Sequence, residues 1–215
     1  MSSCQELQEK IKKLKNLKSE FEAIYGVLPA GSNREPAKRE VLDEANKKRD
    51  EIELLLEQIE KLSYWKKIKL GTFKTIAELR QAILDQGNEI SDWGDKIFSK
   101  ITVSDQEMEA ALATATTKEL TGKDEATTHE IYDAIRDHGD QLCPAEVGPQ
   151  LRLQYQDQPM DEYLLIATEP IIGSNGHMGV FCVYFLSGGR SLGTDSGHPD
   201  HRYPGGYQWV FVSGK

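Results

Sequence analysis

The sequence predicts an α+β protein: an N-terminal antiparallel helical hairpin, then a small helical segment, then a C-terminal, mainly antiparallel β-sheet domain. Three observations predict it. Apolar residues in the first 62 positions recur every three or four residues, the helical period. Ser/Thr-x-x-Glu patterns, which mark helix starts, recur through the middle of the chain. Beyond Pro144 the period becomes that of extended chain, with turn clusters between apolar runs.

In the first segment, Leu7, Ile11, Leu14, Leu17, Phe21 and Ile24 form one apolar stripe flanked by lysines and glutamates. The stretch "YGVLPAGSNREP" breaks it. A second helix is expected from about Pro36, a first-turn residue, to about Leu62, with Leu42, Ala45, Ile52, Leu55, Ile59 and Leu62 as its stripe. Two such helices joined by a turn-rich loop make an antiparallel hairpin. Lys48 and Arg49 interrupt the second stripe, which favours a short arm over a long coiled coil. The domain division expected is 1–66 for this coiled-coil arm and 67–215 for an α+β domain, helical over 72–142 and β-rich over 143–215.

In the helical middle, Thr75 with Glu78, Ser104 with Glu107, and Thr127 with Glu130 have capping-box spacing, each cap contributing about 1 kcal/mol. Gly87 and Gly139 are placed to end two of these helices, and Ile131, Tyr132 and Ile135 to face inward. A further short helix is expected around "SDWGDKIF". From Pro144 on, "LRLQY" alternates apolar and polar, while "EYLLIATEP", "GVFCVYFL" and "YQWVFV" are strand-like. "DQPMD", "GSNGHMG" and "SGG" are turns between them, and the middle helices are expected on one face of the sheet.

Charge and composition narrow the function. The net charge is −9, of which residues 1–70 carry +2 and the remainder −11. Such an acidic body disfavours nucleic acid as a partner. No apolar run approaches the roughly 20 residues of a membrane span, and "MSSCQELQEKIKKLK" lacks the apolar core of a signal peptide, so a soluble, cytoplasmic protein without a membrane partner is expected. Cys4, Cys143 and Cys182 are odd in number and far apart, which argues against a disulfide framework. Cys182 inside "GVFCVYFL" reads as a small buried apolar residue.

The candidate chemistry lies near the end of the chain, in "SLGTDSGHPDHRYPGGYQWVFVSGK". His198, Asp200 and His201 offer nitrogen and oxygen ligands of the kind used by zinc, manganese or non-haem iron, with Asp195 and His177 the nearby reserves. Pro199 and the surrounding glycines exclude a helix that would align them. Exposed loop residues are the simpler reading, so no metal and no cofactor are expected. No nucleophile elbow, phosphate-binding loop or zinc-protease motif occurs.

From Gly179 through Tyr207 there is no Lys, Glu, Gln, Met or Trp. A loop built from Ser, Gly, Arg, Leu, Thr, Asp, His, Pro and Tyr has the composition of an adaptable binding surface: tyrosine supplies rigid contact area, and the small polar residues supply hydrogen bonds.

"ISDWGDKIFSK", "LCPAEVGPQLRLQYQDQP", "EYLLIATEPI" and "YQWVFV" resemble a family of uncharacterised bacterial proteins over roughly residues 70–215. That resemblance implies membership and no mechanism. The loop Ser187–Tyr207 is also similar to that of the variable proteins of diversity-generating retroelements, which end in a C-type-lectin-like domain. Adenine-directed mutagenesis in those systems reaches Asn, Asp, Ser, Thr, Gly, His, Tyr, Arg, Leu and Pro, and the stretch is compatible with that set.

The function expected is therefore non-catalytic recognition. The loop 187–207 contacts a protein or other macromolecular ligand through Arg190, Asp195, His198, Asp200, His201, Arg202, Tyr203 and Tyr207, and the hairpin makes a homo-oligomer. Trp209 and Phe211 are expected to anchor the last strand. The alternatives are a metal-dependent enzyme centred on His198, Asp200 and His201, and a scaffold acting through its coiled coil.

Overall fold

The computed structural model of the chain describes residues 3–26 and 35–214. They fall into two compact units, Met1–Ser63 and Tyr64–Lys215. The expected loop between the first two helices, 27–34, lies outside the described residues, as do the side chains of Leu7, Ile59 and Leu62.

The first unit consists of α1 (Ser3–Gly26) and α2 (Glu35–Ser63), which pack on each other. Leu17, Ala45 and Leu55 are buried between them, while Ile11, Leu14, Phe21, Ile24 and Ile52 are half-buried. Leu42, expected in the stripe, is exposed, as are Leu54 and Leu56. Polar pairs join the helices: Lys10 Nζ donates to Gln58 Oε1 at 2.7 Å, Lys13 pairs with Glu51 at 3.2 Å, and Lys48 pairs with Glu20. Lys48 interrupts the apolar stripe because it reaches across to α1. Such exposed pairs contribute little stability each, and apolar burial dominates.

The second unit is α+β and opens with β1 (Lys66–Leu70), α3 (Ile76–Asp85), β2 (Glu89–Ile90) and α4 (Asp92–Phe98). Then come β3 (Met108–Thr116), α5 (Thr117–Thr121), β4 (Glu125–Thr127), α6 (Thr128–Asp137) and α7 (Val147–Gln154). The remainder is strand: β5 (Tyr163–Ile166), β6 (Ile171–Ile172), β7 (Met178–Leu186), β8 (Gly189–Ser196), β9 (Arg202–Pro204) and β10 (Gln208–Val212). The main sheet runs β1-β3-β10-β5-β7-β8-β2, with β6 added to β7; β4 and β9 make a separate ribbon. Most pairings are antiparallel, but β10 runs parallel to β5 and β2 parallel to β8, so the sheet is mixed.

Local signals set the helix starts. The Thr75–Glu78 and Thr127–Glu130 capping boxes form, and Thr116 with Glu119 makes another at α5. Ser91 caps α4, the "SDWGDKIF" helix. Ser104 and Glu107 do not start a helix: Ser104 N donates to Glu146 Oε2, and Glu107 pairs with Lys69. The segment expected to be helical, 72–142, also supplies β2, β3 and β4, and "GSNGHMG" makes the expected turn between β6 and β7.

Two expectations fail for one reason. The helices were expected on one face of the sheet; they cover both. Leu164, Ile166, Phe181, Val183 and Val210 pack in one core with residues of α3, α4 and α7. Leu165, Ala167, Val180, Cys182, Trp209 and Phe211 pack in a second core with residues of α5 and α6. Strands buried on both faces read as continuous apolar runs, as "YLLIA" and "GVFCV" do. "LRLQY" was expected as a strand and is the end of α7. Leu151 and Arg152 are both fully buried there, so its short alternation reflects no exposed face.

α7 lies very close to the sheet. A Cβ on Gly148 would stand 2.6 Å from Cβ of Phe181. Gly148→Ala is expected to lower stability by about 1–3 kcal/mol through overpacking, read as a lower urea midpoint with an unchanged m-value.

The start of α7 is held by tertiary bonds, not by a side-chain cap. Glu146, 1% exposed, accepts from Gly71 N at 2.9 Å, Ser104 N at 2.7 Å and Gln150 Nε2 at 2.9 Å. Burial pushes its pKa up, but the bonds from Gln150, Ser104 and Gly71 together outweigh burial, and the net shift is down. Its stabilisation is therefore complete at neutral pH and is lost as pH falls through the depressed folded value. Glu146→Gln should cost about 1–3 kcal/mol at pH 7, and the gap from the parent should narrow on acidification, as followed by denaturant titrations from pH 7 to pH 3.

Candidate functional site

The stretch 187–207 is less of a loop than its composition suggests. Gly189–Ser196 is strand β8, paired along its whole length with β7. Arg202–Pro204 is β9, paired with β4. Besides the tight turn at 187–188, the turns 197–201 and 205–207 are irregular, and these two are fixed by their backbones. The carbonyls of Pro199 and His201 accept from His129 N (3.1 Å) and Thr128 N (2.9 Å) in the first turn of α6. Those of Gly205 and Tyr207 accept from Lys118 N (3.0 Å) and Thr117 N (2.8 Å) in the first turn of α5. Helix starts leave backbone N–H groups without intrahelical partners, and these turns supply the acceptors.

Two aromatic anchors complete the attachment. Tyr203 is 1% exposed and donates from its hydroxyl to Ser196 O at 2.6 Å. Trp209 is fully buried, with Nε1 donating to Thr117 Oγ1 at 3.0 Å. The two rings meet edge to face, with centroids 4.8 Å apart. Tyr203, expected among the contact residues, is thus a core residue. Trp209 and Phe211 anchor the last strand as expected.

The other expected contact residues separate into three groups. His198, Asp200, His201 and Arg202 are exposed on the 197–201 turn and the adjoining β9. His198 Nδ1 accepts from Asp200 N at 3.2 Å, His201 lies against the edge of Tyr203, and Arg202 pairs with Glu125 at 3.4 Å. Arg190 stands apart, its guanidinium 4.5 Å from the centroid of the Phe185 ring. Asp195 and Tyr207 come together at a cavity of about 470 Å³, with Asp161, Glu162, Tyr163, Gly206 and Gln208.

Metal chemistry finds no support in this arrangement. His198 Nδ1 is already an acceptor, and its distance to Asp200 Oδ2 is 4.0 Å. Among the described residues no group of three or more His, Cys, Asp or Glu side chains is placed to hold a metal ion. No helix among them is long and apolar enough to cross a membrane.

The residue missed by sequence reasoning is Tyr163. Its hydroxyl lies 3.0 Å from Asp195 Oδ2 and 3.0 Å from Cys182 Sγ. A hydroxyl has one proton, so it donates to the carboxylate and accepts from the thiol. Asp195 Oδ1 accepts from Ser196 N at 2.7 Å. Burial, and then the neighbouring Cys182 and Asp195, hold the Tyr163 hydroxyl neutral, far above the ordinary tyrosine range. Burial likewise pushes the Cys182 thiol up to about 12, so it is no nucleophile. The only sequence signal for Tyr163 was its place at the head of a strand.

A second cavity, of about 310 Å³, is lined by Trp93, Lys96, His177, Met178 and Asp195 among others. Lys96 Nζ sits 4.0 Å from the Trp93 ring centroid, so that wall already carries its own cation.

The two buried thiols give a direct check. In a Cys4→Ser variant, Cys143 and Cys182 should resist an aromatic disulfide reagent at pH 8 and react fully in denaturant.

Neither a protein-family profile, nor a curated protein, nor a solved structure matches this chain.

Proposed function

We propose that this protein is a non-catalytic recognition protein whose contact surface is the stretch 187–207, with α1 and α2 forming an antiparallel hairpin that makes a homo-oligomer. One observation carries the reading: the turns 197–201 and 205–207 are attached to α5 and α6 by main-chain carbonyls, leaving His198, Asp200, His201, Arg202 and Tyr207 facing outward. Main-chain attachment does not depend on which side chains the turns carry. Such a surface tolerates substitution without loss of the fold, as a binding surface that must vary requires. The ligand in this reading is a protein or another macromolecule.

The C-type-lectin-like comparison and membership of the bacterial family resembled over 70–215 belong to the same reading. Pairs between the start of α1 and the end of α2, such as Lys10 with Gln58, favour the hairpin. The exposed leucines Leu42, Leu54 and Leu56 on α2 favour association through it.

The test is thermal. Replacing His198, Asp200, His201 and Arg202 together with serine should shift Tm by about 2–4 °C, since exposed positions each contribute within about 0.5 kcal/mol of either sign, a net of about 1 kcal/mol. Tyr203→Ser, which empties a core position, should lower it by about 6 °C or more. A collapse of the fourfold variant to the level of Tyr203→Ser would overturn the recognition reading.

A further inference from the structure

The cavity beside Tyr207 has a chemistry of its own. Tyr163 and Tyr207 form two of its walls, their rings 80° apart in plane with centroids 6.3 Å apart. Behind Tyr163, Tyr184 stacks at 5.6 Å and 15°, which fixes the first wall. Tyr203 packs on Tyr207 at 5.5 Å and steadies the second. Tyrosine rings that line a cavity offer it π surface, and a cation is attracted to such surface.

The charged lining is of one sign: Asp161, Glu162 and Asp195, with Gln208 as the one amide. Among the described residues no Lys or Arg lines the cavity, and none forms an ion pair with Asp161 or Asp195. Glu162 has the Arg152 guanidinium near it as a counter-charge. Asp161 and Asp195 carry the remaining negative charge. Asp161 has φ +68°, the one non-glycine residue at positive φ among the described residues, held by Asp161 N donating to Phe185 O at 2.7 Å. An anion is repelled here, and a neutral ligand leaves the carboxylates without a counter-charge.

We infer that this cavity binds an organic ammonium group, a quaternary or alkylated amine carried by the ligand, on its Tyr163 and Tyr207 walls and against Asp195 and Asp161. The inference rests on the recognition reading and names the chemical group that the surface takes. The volume, about 470 Å³, accommodates a trimethylammonium head with part of the group that bears it.

The experiment is calorimetric titration of the full chain at low ionic strength with choline chloride. Its neutral isostere 3,3-dimethylbutan-1-ol is the control. Choline is expected to bind saturably with Kd below about 5 mM, and the alcohol at least about 10-fold more weakly. Tyr207→Leu and Asp195→Asn should each weaken choline by about 10-fold or more, whereas Tyr207→Phe, which keeps the ring, should stay within about 3-fold. Tm measured on each variant shows that the fold persists, and Tyr207, the half-exposed wall, is the variant least dependent on it. Absence of saturable binding, equal binding of the alcohol, or indifference to Tyr207→Leu overturns the inference. None of these outcomes touches the fourfold surface variant, so the cavity and the recognition surface fail separately.

Discussion

The second unit depends on burying one sheet from both sides. Val180, Phe181, Cys182 and Val183 are consecutive residues of β7 and all are buried, alternately in the two cores. At ~25 cal/mol per Å² of apolar area removed from water, such strands drive helices onto both faces of the sheet. The segments flanking β7 and β10 are then constrained to return helices or capped turns to those faces. α7 on one side and α5 with α6 on the other are the result, and the candidate surface is what remains of the chain once they are in place.

Several polar groups in that interior tie distant segments together. Glu146 ties the segments around Gly71 and Ser104 to the start of α7. Thr117 holds the indole of Trp209, and Tyr163 links Cys182 to Asp195. Where such a group reaches the surface, as Asp195 does, its carboxylate is already oriented by neighbours that cannot themselves ionise. The cavity beside Tyr207 is therefore preorganised, and its charge does not wait for a ligand to be positioned.

Much of this was legible from local signals. Capping at Thr75 and Thr127, the inward set Ile131, Tyr132 and Ile135, the turn at 173–177 and the anchoring of Trp209 all follow from short-range chemistry. What failed was non-local. Ser104 and Glu107 have capping spacing, yet each is claimed by a partner far along the chain. "LRLQY" has a strand's alternation, yet it lies in a helix whose start is held by tertiary bonds from Gly71 and Ser104 to Glu146, with Arg152 fully buried. In the site, composition located the surface but not its division. Nothing in "GRSLGTDS" distinguishes a strand inside a sheet from a loop, because its partner β7 must first be known. Tyr163 was invisible because its role exists only once β5 and β8 stand on either side of β7.

The position of β10 has a kinetic consequence. β7 and β8 are joined by a tight turn and form a local hairpin, but β10 lies between β3 and β5 and pairs Trp209 with Ala115, roughly a hundred positions away. The two halves of the sheet stay separate until that distant seam closes. Folding of this unit is thus governed by a late, long-range closure, on the millisecond-to-second scale of topologically complex sheets and not the microseconds of a helical pair. Until β10 inserts, the edges of β3 and β5 are open, and that interval is when the chain is most exposed to pairing with another copy of itself.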